Sequence, residues 1–474
     1  MRVVIIGGSA AGLATALVLA RAGHEVDVVD RDGLEPAANV EAAAEAAFRP
    51  AAPQLVHAHQ YMPLARRILL DQLPEVYSAL LRAGAVESPV SDRMPPSLRD
   101  RSARPGDEDL TALQARRSTF DWVLRTAAAT QRGVHLNGGT RALGLLTSND
   151  DPPRARGVRT ERGDLRADVV VDAAGRRSPV DGWLTAVGAQ KPQTLAAECG
   201  VGYYTRHYRL RADAVRNDAG RLSMVALLPF FTVAAFGADN GTLTLAFCPL
   251  LEDKALRALR APAAHEAMAH AVPAVRSWLD AAEPISGVHA MGGLRNSLRR
   301  LVVGGRPVVL GLHAVGDSVS TTNPTLGRGL PVALQGATDL AKVLAEHPDD
   351  PEAQAHAMDD AVTAHIAPWY TDQATFDSAR LTAVRDALGG RPQTSPPPPT
   401  DGITPAHLRA AAAVDPDVFR ALTSLISMVR YPDEVYNDPD THDRVRAVFA
   451  DHLLVPPPAR PSRAEILAAV ATTG

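Results

Sequence analysis

The sequence predicts an α/β fold in which a parallel-sheet domain is interleaved with an antiparallel-sheet domain and followed by a helical region. Three observations lead to this prediction. A strand, a glycine-rich turn, a helix and a second strand follow one another over residues 1–32. From residue 201 apolar and polar residues alternate in successive stretches, which is typical of antiparallel strands. Beyond residue 351 the pattern is mostly helical.

Length and composition are those of an ordinary globular protein. The chain has 474 residues, of which 46% are hydrophobic and 22% charged, and this length suits two or three domains. A formal net charge of -4 offers no basic face for nucleic acid or an anionic membrane. Cys199 and Cys248 are far apart and have no metal or redox spacing. We therefore expect a reduced, cytoplasmic protein without a bound metal.

The first 32 residues predict one βαβ unit. β-Branched residues at 3–6 suit a buried parallel strand, apolar periodicity over 13–22 predicts a helix, and residues 26–29 form a second strand. Residues 3–20 carry no charge and follow Arg2, so a membrane span or a secretory signal is an alternative. The glycine cluster inside the run and the strand after it fit neither alternative well.

The turn of this unit carries a dinucleotide-binding fingerprint. Gly7 allows the tight turn, Gly12 allows close packing of helix on strand, and free amides at the helix start face a pyrophosphate. Ser9 replaces the middle glycine, which weakens the motif. Asp30, at the end of the second strand, has the position of the acid that binds ribose hydroxyls. These residues fit NAD and FAD equally.

Two histidines follow in the segment FRPAAPQLVHAHQYM. His57 and His59 are two residues apart, which would place them on one side of a strand, so a metal pair is conceivable. No carboxylate or cysteine nearby completes a ligand set. We expect instead a loop that packs against the nucleotide. Residues 35–47, before it, are a helix or a loop, and residues 64–83, after it, predict a helix.

A pair of arginines precedes the next predicted helix, at 119–130, with Ser118 as its expected N-cap. An arginine at such a junction, Arg116 or Arg117, can reach a phosphate or a ribose, although a surface arginine paired with solvent is the commoner case. The segment DVVVDAAG at 168–175 then has the form of a buried strand that delivers a loop to a cofactor.

The antiparallel region contains a predicted hairpin turn at Asp239-Asn240-Gly241 and, after its strands, a helix over 255–271. Aromatic residues are concentrated in this region. They are either an apolar substrate wall or the core of the sheet: Tyr203, Phe230, Phe231, Phe236 and Phe247.

A last apolar strand, at 306–315, leads into the segment GDSVSTTNPTLGRG. Asp317 lies at the strand end, and Pro324 and two glycines precede a helix over 330–344. The free amides of this helix start would stabilise the negative charge that grows at N1 and the C2 carbonyl of a flavin during reduction. This favours FAD over NAD.

The remaining chain predicts helices at 406–429 and 440–454, with a proline linker at 396–399.

Three motifs in this order resemble the flavoprotein monooxygenases of the p-hydroxybenzoate hydroxylase fold: GGSAAG with Asp30, DVVVDAAGRRSPV, and GDSVSTTNPTLGRG. Within that fold the chain is most similar to the squalene-epoxidase-like branch that includes bacterial polyketide epoxidases. The segments PQLVHAH, ARRSTFDW, GYYTRHYR and VPPPARPSRAEI carry this second likeness, so the resemblance spans nearly the whole chain.

The resemblance implies a Rossmann-like FAD-binding domain interleaved with an antiparallel-sheet substrate domain, plus a C-terminal helical region. The implied boundaries are FAD-binding parts at 1–60, 101–190 and 296–345, a substrate-side insertion at 61–100, the substrate domain at 191–295 and the helical region at 346–474. The implied cofactor-binding residues are Gly7, Ser9, Ala10, Ala11, Gly12, Asp30, Arg31, Arg49, Gln54, Arg117, Ala142, Asp317, Pro324, Gly327, Arg328 and Gly329. The implied substrate-binding residues are Tyr203, Phe230, Phe236 and Phe247.

The implied activity is insertion of one oxygen atom from O2 into an apolar, secondary-metabolite-like substrate through a flavin C4a-hydroperoxide, as a hydroxylase or an epoxidase. Such chemistry requires no conspicuous acid or base, so no catalytic residue is assigned; His207 and His313 are the titratable candidates. Ala174 and Val56 replace an aspartate and an arginine that are common in the family. Electrons would come from NAD(P)H bound transiently or from a separate flavin reductase.

Three alternatives remain at this point. A halogenase shares the fold, but the four tryptophans form no W-x-W pair. A dehydrogenase or reductase would work without oxygen incorporation. A flavin-binding assembly partner would have no turnover.

Overall fold

The computed structural model describes residues 1–49, 52–212, 223–391, 395–455 and 460–471. Its strands, in chain order, are β1 (Arg2–Ile6), β2 (Glu25–Val29), β3 (Val86–Ser88), β4 (Ala112–Gln114), β5 (Val134–Asn137), β6 (Ala142–Thr147), β7 (Ala155–Thr160), β8 (Gly163–Arg166), β9 (Val169–Asp172), β10 (Gln193–Glu198), β11 (Tyr203–Leu210), β12 (Ser223–Leu227), β13 (Phe231–Gly237), β14 (Thr242–Pro249), β15 (Ala282–Pro284), β16 (His289–Met291), β17 (Arg295–Arg300), β18 (Val302–Val303), β19 (Arg306–Pro307), β20 (Leu312–Ala314) and β21 (Ser320–Thr321).

Its α-helices are α1 (Ala10–Arg21), α2 (Val40–Glu45), α3 (Pro63–Gln72), α4 (Pro74–Arg82), α5 (Val90–Arg93), α6 (Arg117–Thr130), α7 (Val180–Ala186), α8 (Pro262–Ala271), α9 (Pro273–Leu279), α10 (Gly329–Glu346), α11 (Pro351–His365), α12 (Ala367–Leu388), α13 (Pro405–Ala412), α14 (Pro416–Ile426), α15 (Pro432–Tyr436), α16 (Pro439–Ala450) and α17 (Arg463–Ala471).

A five-stranded parallel sheet of order β20-β9-β1-β2-β5 forms the first half of the molecule. Val3 and Ile5 of β1 pack with α1 and α10 on one face, and Val4 and Ile6 pack with the β6-β7-β8 sheet and α7 on the other. Both faces are covered, which is why these strands are short apolar runs. The predicted βαβ unit is confirmed.

The second half is an antiparallel sheet of order β12-β13-β14-β11-β15, with β16 also paired to β11. Its two faces have different partners. Phe231, Val233 and Phe247 belong to the core cluster shared with α8, α9 and α17, whereas Ala246 and Cys248 belong to a separate cluster. The predicted hairpin turn joins β13 to β14, with Asn240 at φ 55°. Asparagine is one of the few residues that tolerate this left-handed conformation.

Prolines divide two of the predicted helices. The helix expected over 64–83 is instead α3 and α4, because Pro74 has no N–H to donate and begins a new helix. The helix expected over 406–429 is α13 and α14, which are divided in the same way at Pro416. The side chain of Asp415 accepts from two amides of the new first turn.

Three other boundaries differ from the sequence prediction. The strand expected over 306–315 is interrupted at Gly311, whose φ of +67° breaks the extended backbone between β19 and β20. The helix expected from residue 255 begins at Pro262, after a 3-10 segment. Ser118 lies inside α6, and Arg116 occupies the N-cap position without a side-chain cap.

The C-terminal helices pack on both halves. Helices α13, α14 and α16 share one core cluster with α3, α4 and α6, whereas Ile466 and Val470 of α17 lie under the antiparallel sheet. The proline run at 396–399 has no regular secondary structure. Among the described residues, no helix combines the length and the apolar character needed to cross a bilayer.

Candidate active site

One cavity of about 730 Å³ lies between the two sheets. Three parts of the chain line it: the turn after β1 with the end of β2, the segment 317–330 at the start of α10, and one face of the antiparallel sheet. A pocket at the carboxyl ends of parallel strands is the usual ligand position in such α/β sheets.

The turn after β1 is a cradle that only glycine fits. Gly7 has φ +111°, and a Cβ there would lie 2.4 Å from the Ala173 carbonyl oxygen. A Cβ on Gly12 would lie 1.8 Å from the Gly7 carbonyl oxygen. Ser9 occupies the N-cap of α1, and its buried Oγ has no hydrogen-bond partner in the described part of the chain. Free amides, an unpartnered hydroxyl and the positive end of a helix suit a pyrophosphate.

Asp30 lies at the end of β2 and lines the cavity. Its carboxylate accepts hydrogen bonds from the backbone amides of Gly8 at 2.6 Å and Asp32 at 2.8 Å. These bonds fix the carboxylate beside the helix start, where an acid of a dinucleotide site binds ribose.

Two arginines on the cavity wall meet at one carboxylate. The Nε of Arg117 donates to Asp121 Oδ1 at 2.8 Å. Arg49 Nη2 lies 3.4 Å from Oδ2 of the same carboxylate, and Arg49 Nη1 lies 3.7 Å from Asp32 Oδ2. Asp121 orients both guanidinium groups, and a guanidinium fixed in this way suits phosphate or ribose oxygens. Asp121 is part of the segment ARRSTFDW, but the sequence alone does not assign it this role, because its contact with Arg49 spans 72 residues.

Arg116 has a different role from its neighbour. It is buried and pairs through Nη2 with Asp239 at 2.7 Å and with Glu41 at 2.7 Å, and Thr119 also donates to Asp239. This group joins the start of α6 to the β13–β14 hairpin. Arg117 is thus the arginine of the pair that faces the cavity.

The segment that leads into α10 forms the opposite end of the cavity. This end is lined by Asp317, Pro324, Gly327 and Gly329, and no side chain of the described residues caps the start of α10. Burial raises the pKa of Asp317, while Arg117 opposes this rise. Because the start of α10 is uncapped, the amides of its first turn are free for an electron-rich ligand.

Arg328 was expected among the cofactor residues, but its side chain lies away from the cavity. It is fully buried, pairs with Asp372 at 2.5 Å and lies over the Trp369 ring at 5.3 Å. Local geometry explains the difference: Gly327 turns the backbone at φ +69°, and the residues on either side of Arg328 face the cavity instead.

The cavity face of the antiparallel sheet is mostly apolar. Tyr203 and Phe236 lie on it, as expected, together with small side chains such as Ala234 and Ala246. Phe247 lies on the opposite face, against Phe231 and His265, at ring distances of 5.7 and 4.9 Å.

Phe230 also lies outside the cavity, 5.6 Å from the Arg463 guanidinium. The expected substrate wall is therefore wrong for Phe230 and Phe247. Successive residues of a strand point to opposite faces, so Phe247 cannot share the face of Ala246.

The loop with His57 and His59 lines the cavity. Burial lowers the pKa of His57 to about 3 and that of His59 to about 4, so both are neutral near pH 7. His57 Nδ1 bonds Thr205 Oγ1 at 2.7 Å, and His59 Nδ1 bonds the His57 carbonyl at 3.0 Å. The described residues contain no group of three side chains able to hold a metal ion.

Neither titratable candidate reaches the cavity. His207 uses both ring nitrogens, one with the Val56 carbonyl at 3.1 Å and one with Thr244 at 3.0 Å. His313 is buried within β20. Burial lowers the pKa of each to about 4.

The cavity thus brings most of the expected cofactor residues together. The ones that line it are Gly7, Ser9, Ala10, Ala11, Asp30, Arg31, Arg49, Gln54, Arg117, Ala142, Asp317, Pro324, Gly327 and Gly329. Gly12 lies behind the cavity lining, where it permits the close packing described above.

Known proteins resemble this chain in sequence and in structure. Residues 2–116 match the family model described as FAD dependent oxidoreductase. This match covers the amino-terminal part of the chain and indicates an enzyme that is similar to the FAD-dependent oxidoreductases. Among curated proteins, the chain is similar to protein Rv3254 of Mycobacterium tuberculosis, with 24% identity over 372 residues and 72% of each chain covered.

Two solved structures share the fold. A probable FAD-dependent monooxygenase of Pseudomonas aeruginosa, PqsL, matches with a TM-score of 0.60 and 15% identity over 82% of this chain and 97% of that one. The flavin-dependent brominase Bmp2 matches with a TM-score of 0.62 and 15% identity over 96% of this chain and 98% of that one. The expected fold of the flavoprotein monooxygenases is thereby confirmed.

Proposed function

We propose that this oxidoreductase is a flavin-dependent monooxygenase, a hydroxylase or epoxidase that transfers one oxygen atom from O2 to an apolar small molecule. One observation carries the proposal: a single cavity joins a dinucleotide cradle, an uncapped helix start and an apolar sheet face. A cofactor held by the first two would present its reactive ring to a substrate on the third.

The residues present fit FAD at both ends. The Gly7 turn, the Ser9 hydroxyl and the first amides of α1 would hold the pyrophosphate, Asp30 the adenosine ribose, and Asp317 the ribityl chain. The amides at the start of α10 would border the ring. Bound FAD supplies electron transfer and oxygen activation, which no amino-acid side chain provides.

The substrate face carries little charge near pH 7. Burial lowers the pKa of His57 to about 3, raises that of Cys248 to about 12 and raises that of Tyr203 well above its usual range, so all three are neutral. A neutral wall retains an apolar substrate and keeps bulk water from the reacting atoms. The chain's own contribution is then binding, orientation and exclusion of water.

Electron supply separates two versions of the proposal. Mixing the FAD-loaded protein with NADPH or NADH and following the flavin absorbance distinguishes them. Rapid reduction indicates a one-component enzyme that binds nicotinamide transiently. Negligible reduction, with turnover restored by a flavin reductase, indicates a two-component enzyme.

Labelled oxygen tests the reaction itself. The FAD-loaded protein, a reductant, chloride and bromide salts and a panel of apolar aromatic and alkene substrates are incubated under ¹⁸O2, and products are analysed by mass. One ¹⁸O atom per product molecule is expected. Unlabelled oxidised or reduced product would support a dehydrogenase or reductase, and halide incorporation would support a halogenase. The fold shared with Bmp2 favours the halogenase alternative, whereas the lack of a W-x-W pair opposes it.

A further inference from the structure

We propose that Asp377, on helix α12 of the C-terminal region, is a positioning residue that fixes the loop at 323–328 and, through it, the Tyr203 hydroxyl beside the cavity. The inference rests on the proposed function, since the same loop would border the flavin. It adds a residue that belongs to none of the sequence motifs and lies outside the cavity lining.

Asp377 receives three hydrogen bonds in a buried position, with 2% of its surface exposed. Asn296 Nδ2 donates at 2.7 Å, Asn323 Nδ2 at 2.8 Å and Gln373 Nε2 at 3.2 Å. Each partner donates an amide N–H, so the carboxylate acts only as an acceptor. A buried carboxylate with this set of donors has one fixed orientation.

The carboxylate also determines the orientation of the Asn323 amide. Because Nδ2 of Asn323 is committed to Asp377, its Oδ1 must face the other way. There it accepts from the Tyr203 hydroxyl, and from Thr325 Oγ1 at 3.0 Å. The Tyr203 hydrogen therefore points at Asn323, and the phenolic oxygen beside the cavity remains an acceptor. Asp377 of α12 thus determines that the Tyr203 hydroxyl presents its oxygen, and not its hydrogen, to the substrate face.

The backbone of the same loop is held at both ends. At its start, the Asn323 amide N–H donates to Asn296 Oδ1 at 2.7 Å. At its end, Arg328 pairs with Asp372 and donates to the Trp369 carbonyl at 3.1 Å. Asp372 and Asp377 both belong to α12, so this helix, together with Asn296 of β17, determines where the loop lies.

Helix α12 also holds the substrate sheet. Arg380 donates to the carbonyl oxygens of Leu228 at 2.5 Å and Phe231 at 2.9 Å, at the turn between β12 and β13. The helix thus fixes the sheet and the loop in one frame. Displacing Asp377 from the loop should alter the cofactor end of the cavity while this second anchor stays in place.

Exchanging the two partners tests the proposal. Asp377→Asn places an amide nitrogen against at least one of the three amide groups that donate to the carboxylate. Asn323→Asp places two carboxylates together. Combining both changes restores the two shorter bonds and loses only the 3.2 Å bond from Gln373: the amide at position 377 accepts from Asn296 and donates to the carboxylate at position 323. That carboxylate still accepts from Tyr203 and Thr325. A double-mutant cycle isolates this coupling.

The readouts are the Kd for FAD, from quenching of flavin fluorescence, and the visible circular dichroism of the bound flavin. We expect each single variant to raise the Kd at least tenfold and to change the dichroism. The double variant should return to within threefold of wild type. Asp386→Asn, the same change at an exposed position of α12 paired with Arg391, serves as the control and should change neither readout.

The proposal would be overturned if both single variants kept the wild-type Kd and dichroism. It would also be overturned if the Kd of the double variant rose by the product of the two single-variant factors. Should a single variant not fold, Tyr203→Phe removes only the terminal hydroxyl. It is expected to change the dichroism, and an unchanged spectrum would count against the proposal. A wild-type chain that takes up no FAD contradicts the proposed function as well, so the two failures are distinguishable.

Discussion

The two sheets that meet at the cavity contribute to it in different ways. The parallel sheet contributes residues that follow its strands, such as Gly7 after β1 and Asp30 after β2. The antiparallel sheet contributes alternate residues along its strands, such as Ala234 and Phe236 of β13. A site at strand ends depends on turn residues that are local in sequence. A site on a sheet face depends on which of two faces turns inward, and tertiary packing decides that.

The largest effect is expected at the strand-end site. Gly12→Ala places a methyl group 1.8 Å from the Gly7 carbonyl oxygen, so the turn must open and α1 must move away. We expect loss of FAD binding by at least a thousandfold and a fall in the free energy of unfolding of about 5 kcal/mol. FAD titration and urea denaturation measure the two effects.

Gly182→Ala is the matched control, since a Cβ at that helical position meets no atom within 4 Å. It should bind FAD normally. Equal behaviour of the two variants would contradict the strand-end account.

The next effect concerns the ion pair that joins the two halves. Asp239→Asn leaves the buried Arg116 guanidinium paired only with the half-exposed Glu41, so we expect a loss of about 4 kcal/mol in the free energy of unfolding. Lys342→Ala, which removes a surface pair with Glu346 at 3.9 Å, should cost less than about 0.5 kcal/mol. Chemical denaturation checks both values. If Asp239→Asn lost as little free energy of unfolding as Lys342→Ala, the buried ion pair would contribute little to stability.

Much of the parallel half could be predicted from the sequence. Gly7, Asp30 and Asp317 lie where local patterns placed them, because turn and helix-start chemistry involves neighbouring residues. The antiparallel face was harder, because every residue of β14 is buried and the sequence does not distinguish its two apolar faces. Asp377 could not be predicted at all. Its contact with Asn323 spans 54 residues and depends on how α12 packs.

The third prediction compares two phenylalanines on opposite faces of the antiparallel sheet. Phe247→Ala removes a core ring and should cost about 3 kcal/mol in the free energy of unfolding, with FAD affinity unchanged. Phe236→Ala, on the cavity face, should cost about 1 kcal/mol and weaken substrate binding, measured as a rise in KM. The reverse pattern would show that the face assignment is wrong.

A smaller effect is expected from two buried histidines, one at each sheet, on the pH dependence of the free energy of unfolding. His313 lies in the parallel sheet, and His265 of α8 lies under the antiparallel one; burial lowers the pKa of each to about 4. Because the unfolded pKa is about 6.5, the unfolded state binds more protons between pH 6.5 and 4, so stability falls with pH there.

Each histidine should remove about 2 kcal/mol between pH 7 and pH 5. His313→Leu and His265→Leu should each flatten the pH dependence of unfolding by that amount. A slope unchanged in both variants would show that neither histidine titrates as described.

The central claim is that two separate parts of the chain hold opposite ends of one FAD. Titration of the purified wild-type chain with FAD and with FMN, which lacks the adenylate half, tests it most directly. One FAD per chain is predicted, with FMN bound at least a hundredfold more weakly because it cannot reach Asp30 and the Gly7 turn. Equal affinity for the two flavins, or no uptake of FAD, would contradict the account.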